Sequence, residues 1–106
     1  MLFFFVGTTF AVKAQKVYSV DQSYNADVKV FVVDQSYNAD LLVYKVDQSY
    51  NAGDNDGNWF FVDQSYNADK KIFFVDQAYN ADLKIYFVDQ SYNAGWKNSS
   101  KKHLMY

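Results

Sequence analysis

Apolar and polar positions along the chain come in blocks. A run such as Val30-Phe31-Val32-Val33 or Ile72-Phe73-Phe74-Val75 gives way to Asp-Gln-Ser-Tyr-Asn, and the cycle returns. Val-Asp-Gln-Ser-Tyr-Asn-Ala begins at Val20, Val33, Val46, Val62, Val75 and Val88, and its one departure is Ala78 in place of Ser. The units themselves start at Val17, Val30, Val43, Trp59, Ile72 and Ile85, 13 residues apart except for 16 between Val43 and Trp59. A fixed period makes each unit one piece of a larger array. The period is too short for a helical hairpin, and no 3.6-residue apolar pattern is present. β-branched and aromatic residues fill the apolar run, as a pleated surface prefers. The polar block reads as turn chemistry, with each Asp carboxylate placed to accept a backbone N–H two residues on. All acids are Asp and all bases Lys; Asp is a poor helix former. The pattern predicts an all-β protein of six repeats.

Two architectures fit that prediction. In a parallel β-solenoid each unit is one flattened coil, and near-identical units stack like over like. In an antiparallel six-stranded meander, the strands curl into a small sandwich. The repetition favours the solenoid. Within it, Phe31 and Val33 face inward with Tyr37 and Ala39 opposite, while Val30 and Val32 face away. Two features weigh against it. Asp21, Asp34, Asp47, Asp63, Asp76 and Asp89 would form a column about 4.8 Å apart, where like charges repel by roughly 1 kcal/mol in water. Also, units three and six end in Ala-Gly, at Ala52-Gly53 and Ala94-Gly95. The chain thus divides into two triplets joined by Gly53-Asp54-Asn55-Asp56-Gly57-Asn58, which suits a sandwich.

At 106 residues the chain forms one domain at most. Residues 1–14 are apolar and end in Ala14 before Gln15, which reads as a secretory signal peptide. Residues 15–97 are the repeat domain, and 98–106 a basic, then apolar, cap or tail. These features predict export to the periplasm, cell surface or medium. Residues 1–14 are too short to span a bilayer as a helix, so no transmembrane segment is expected. A formal charge of −2 gives no drive toward nucleic acid. With no cysteine, disulfides, thiolate catalysis and zinc-thiolate sites are excluded.

The sequence offers little for catalysis. His103 is the sole histidine and has no neighbouring acid; a catalytic base needs an orienting partner and a target in reach. The motif Ser recurs in equivalent surroundings, and unit five does without it. The protein is therefore read as no enzyme. Asp54 and Asp56, in Asp54-Asn55-Asp56-Gly57-Asn58, resemble part of a calcium loop. The pattern fails at Ala52 and Asp63, where oxygen and Glu ligands belong, so no cofactor is expected beyond this calcium candidate. Rows of Asp, Gln, Ser, Tyr and Asn could meet a polysaccharide, although satisfying turns is the simpler role. In the solenoid, Trp59, Phe61, Phe74 and Phe87 would lie on an exposed aromatic face, a surface for self-association or an envelope partner. The leading function is a structural or binding module presenting a repeated surface. A cation-dependent module is the alternative, and an enzyme a distant third.

Ala52-Gly53-Asp54-Asn55-Asp56-Gly57 before Trp59-Phe60-Phe61-Val62 adds a further clue, as does Asp82-Leu83-Lys84-Ile85-Tyr86-Phe87-Val88-Asp89. With Ala94-Gly95-Trp96-Lys97 and the ending Lys101-Lys102-His103-Leu104-Met105-Tyr106, they resemble a family of small exported repeat proteins of Bacteroidetes-type bacteria. That family is classed as a domain of unknown function. The resemblance covers the array and implies its organisation and export, without a mechanism.

Overall fold

The computed structural model describes residues 15–48 and 56–106. The segment 1–14 and residues Gly53, Asp54 and Asn55 lie outside them. Each unit contributes one short strand: β1 Gln15–Ser19, β2 Val28–Val32, β3 Leu41–Lys45, β4 Asn58–Phe61, β5 Lys70–Phe74 and β6 Leu83–Phe87. A two-residue strand, β7 Gly95–Trp96, follows. The order β4-β1-β5-β2-β6-β3 closes through a β3–β4 pairing, and every pair in this ring is parallel. Neighbouring units thus run in the same direction, as in the favoured solenoid, and the antiparallel meander does not form. The coils close into a barrel-like ring instead of extending as an open stack. Among the described strands only β7 is antiparallel, on the first half of β3.

Neighbours in space are not neighbours in sequence. The two triplets interleave around the ring instead of forming two halves. Each unit steps over one strand of the other triplet, except that β4 lands directly beside β3. The reason is arithmetic: a two-place step on a six-place ring returns to its start after three strands. The fourth strand must drop into a gap, and this is where the spacing lengthens from 13 to 16 residues. The strands are also staggered. β1 pairs Gln15–Val17 with β4 and Val17–Ser19 with β5. Each step shifts the register by about two residues, the kind of shear that barrel closure requires.

Val17, Val30, Val43, Trp59, Ile72 and Ile85 fill the interior, each fully buried, together with Val28, Leu41 and Leu83. This reverses the face assignment made from the sequence. Val30 points inward, and Phe31 lies half-buried on the outer side. Trp59 is 0% exposed, so it cannot belong to a surface patch. The error has a physical cause. Parallel strands covered on both sides carry continuous apolar runs, which do not reveal which parity faces in. Here the connectors supply the second cover. Residues 23–25, between β1 and β2, pack on β5, and 78–80, between β5 and β6, pack on β2.

A second set of aspartates ties the triplets together. The Lys16 N–H donates to Asp69 Oδ2 at 2.9 Å, and the Asp69 N–H donates to the Lys16 carbonyl at 2.7 Å. The same reciprocal clamp joins Asp82 to Lys29, Asp27 to Lys71, and Asp40 to Lys84. Asp40 does more, because Lys101 Nζ lies 3.5 Å from its Oδ2 and the Lys97 and Asn98 N–H groups donate to its carbonyl. It thereby anchors the C-terminal segment. There Ser99–Met105 forms a 3-10 helix that places Met105 in the core.

Gly57 sits at the triplet junction with φ +93°. A Cβ there would lie 2.4 Å from the Leu42 carbonyl oxygen and 2.9 Å from the Gly95 nitrogen. Backbone on two sides cannot yield as a side chain can. Gly57→Ala is therefore expected to cost at least about 3 kcal/mol, from the strained backbone and the clash together. Gly95→Ala has open space around its Cβ and only the backbone conformation to strain, so about 1–3 kcal/mol is expected. Urea midpoints of the two variants check the order. For the clamps, Asp69→Ala should cost about 1 kcal/mol by the same measurement, and Asp40→Ala roughly twice that, since more contacts are lost.

Candidate functional site: a belt of ridges and clefts

The five described Ser-Tyr-Asn or Ala-Tyr-Asn blocks fold into the same 3-10 turn, at Ser23–Asn25, Ser36–Asn38, Ser65–Asn67, Ala78–Asn80 and Ser91–Asn93. In the first, the Asn25 N–H donates to the Gln22 carbonyl at 3.0 Å and the Ala26 N–H to the Ser23 carbonyl at 3.1 Å. The other four repeat these bonds. Backbone groups alone make the turn. No side chain caps it, and Asp21, Asp34, Asp47, Asp63, Asp76 and Asp89 form no hydrogen bond among the described residues. The expected Asx-turns are absent among the described residues. These carboxylates are exposed, on turns distributed around the ring.

The tyrosines are the residues that sequence reasoning misplaced. Tyr24, Tyr37, Tyr66, Tyr79 and Tyr92 were expected inside the coils, yet they are 73% to 84% exposed. The turns lie over β5, β6, β1, β2 and β3 in chain order, so the ring order places the tyrosines side by side as Tyr66, Tyr24, Tyr79, Tyr37 and Tyr92. Between them run shallow clefts of related composition. One is flanked by Tyr18, Asp21, Gln22 and Asn25, with Ser65 and Lys71 from the other triplet. The next has Phe73 and Asn80, with Ser23 and Lys29. A third has Phe31, Asp34, Gln35 and Asn38, with Ala78 and Lys84. A fourth has Tyr44 and Asp47, with Asn58 and Ser91. Ser23 lines one cleft and Asn25 another, so Tyr24 stands on the ridge between them. Tyr79, between Ala78 and Asn80, does the same. The volumes run from about 250 to 450 Å³.

The aromatic residues singled out earlier lie elsewhere. Phe61, Phe74 and Phe87 are the last residues of β4, β5 and β6 and alternate around the ring with Ser19, Val32 and Lys45. They are half-buried and pack on the core. Lys45 Nζ lies 5.5 Å from the Phe61 ring centre and 4.8 Å from that of Phe87, in cation–π geometry. They close one end of the barrel instead of forming a flat face. Asp56 Oδ1 accepts from the backbone N–H and the Nδ2 of Asn58 at 3.2 and 3.1 Å. Asp54 lies outside the described residues, and no group of three His, Cys, Asp or Glu that could hold a metal occurs among them. His103 is exposed, its Nδ1 3.1 Å from the Ser100 carbonyl oxygen. No helix among the described residues is long and apolar enough to cross a membrane.

These features define a class: an all-β repeat protein with a closed parallel ring and interlocked connectors that carry a periodic outer belt. Within that class, the chain belongs to the septoil knot domain family, described as the 7(1) septoil knot domain and matched over residues 14–97. The interleaved triplets suit that description, since the described connectors within each triplet lie over strands of the other. Comparison with curated proteins and with solved structures finds no match to the chain.

If the ridge tyrosines serve the surface and not the fold, replacing Tyr24, Tyr37, Tyr66, Tyr79 and Tyr92 by Ser should leave stability nearly intact. Exposed substitutions usually change it by less than about 0.5 kcal/mol each. Thermal melts of the fivefold variant and the wild type check this.

Proposed function

We propose that the protein is an exported, non-catalytic binding module that grips a repeating polymer, such as an envelope or matrix polysaccharide, through its belt. One observation carries this reading. In the five fully described copies of the motif, the Asp, Gln, Ser (or Ala78), Tyr and Asn side chains face solvent and leave their hydrogen-bonding capacity unused among the described residues. Stability gives no reason for them to be repeated so closely, whereas a ligand with its own repeat would. Modest contacts in several adjacent clefts add on one chain, because each further contact becomes intramolecular. Catalysis would need one distinctive constellation, and the belt offers many alike. Export rests on the leader-like composition of residues 1–14.

Co-sedimentation with a panel of insoluble polysaccharides and envelope preparations tests the reading. The wild-type protein should pellet with at least one of them, and the fivefold Tyr→Ser variant, folded by its melt, should stay in solution. A wild-type protein that pellets with none refutes it.

A further inference from the structure

Resting on that reading, we infer that the Tyr18 and Phe31 clefts each hold one sugar residue of a neutral glycan, in preference to an anionic chain. The argument comes from the charges and donors that the fold brings together. The Tyr18 cleft has one ammonium, Lys71, and one carboxylate, Asp21. The Phe31 cleft has Lys84 and Asp34. Lys29, Lys71 and Lys84 make no ion pair among the described residues, nor do Asp21 and Asp34. Both signs are therefore available in one opening without neutralising each other. An anionic residue there would meet the carboxylate, and a cationic one the lysine. A hydroxyl both donates and accepts, so it suits the mixture. Asp accepts from it, Lys donates to it, and the Gln22, Asn25, Gln35 and Asn38 amides can do either.

The apolar side of a sugar ring also has a counterpart. Tyr18, Phe31, Tyr44 and Phe73 occupy one strand position and are half-buried, so each offers an aromatic surface at its cleft. The three larger clefts, at about 390 to 450 Å³, fall in the range of about 300–1,000 Å³ usual for small-ligand sites. The fourth, at 250 Å³, falls just below it. The belt also contains its own variation. The Tyr44 cleft has Asn58 where the others have lysine, and the Phe31 cleft has Ala78 where the others have serine. The clefts should therefore share a ligand class while differing in affinity.

Isothermal titration of the full chain is the test, with neutral hexasaccharides of glucose, mannose and N-acetylglucosamine and with a hexagalacturonate. At least one neutral oligomer should bind at more than one site per chain, with affinity unchanged within about twofold between 50 and 500 mM salt, because no counterions are released. Asp21→Ala and Asp34→Ala combined should weaken it at least about tenfold, the loss of one or more charged hydrogen bonds. The melt of that variant should stay near wild type, since these carboxylates make no bonds among the described residues. Preference for the galacturonate, with affinity falling as salt rises, would overturn the neutral-glycan inference while leaving polymer binding intact. Binding to none of the four oligomers by a protein that still pellets with a polymer would overturn it too. Failure to pellet with anything removes the broader reading as well.

Discussion

Six parallel strands in a ring cannot be joined to their immediate neighbours by short turns. The chain leaves each strand at one end and must re-enter at the other, so its return leg has to travel down the outside of the sheet. In this protein that leg is an eight-residue polar connector, such as 33–40, and it crosses the strand between the two that it joins. The two-place step follows, and from it come the interleaving of the triplets and the odd step at Gly57. The outer cover on the strands has the same origin, and so does the regular placing of the turns that carry the tyrosines. The belt is the exterior of the connections that close the barrel.

Two kinds of aspartate divide the work. Asp27, Asp40, Asp69 and Asp82 precede the strands, and each binds the backbone of a strand from the other triplet. Asp21, Asp34, Asp47, Asp63, Asp76 and Asp89 follow the strands and bind nothing among the described residues. Only eight or fewer residues separate the two kinds along the chain, and composition does not distinguish them. Units three and six end in Gly in place of the clamping Asp, and Gly95 shows why one of them can. It lies in β7, paired antiparallel with Leu42, where the next parallel strand would otherwise begin.

The period, the all-β class and the parallel direction were legible because repetition and β-branched runs speak directly to them. The Ala-Gly endings also marked the triplet boundary. Which strand face turns inward was not legible, because Val30-Phe31-Val32-Val33 is apolar at every position and both faces are covered. That one ambiguity moved Trp59 to the surface and the tyrosines to the interior, and so exchanged the core and the binding face. Ring closure could not be read either. It depends on a shear of about two residues per strand, and no local pattern encodes that shear. The polar motif did hold a usable signal. Tyr flanked by Ser and Asn, with no apolar residue two positions before it, lacks the alternation of a half-buried strand.

The clamps also constrain the order of assembly. Each spans 44 or 53 residues of sequence, so no triplet can complete its own hydrogen bonding. The first three strands leave a gap on either side of each, and those gaps fill only when the second triplet arrives. Such non-local pairing carries loop-closure entropy before contacts repay it, which slows folding. Crossed connectors add a topological demand, because β2 lies beneath a connector of the second triplet and β5 beneath one of the first. Neither triplet can be laid down whole over the other, so part of the chain must pass beneath a formed connector. The last segment, β7 with the 3-10 helix that delivers Met105 to the core, is short and is held by Asp40, by pairing with Leu41 and Leu42, and by the Lys101 bond to the Asp82 carbonyl. Its attachment to Asp40, Leu41, Leu42 and the core ties the end of the chain to the first triplet, so the closing contacts of the fold are again non-local.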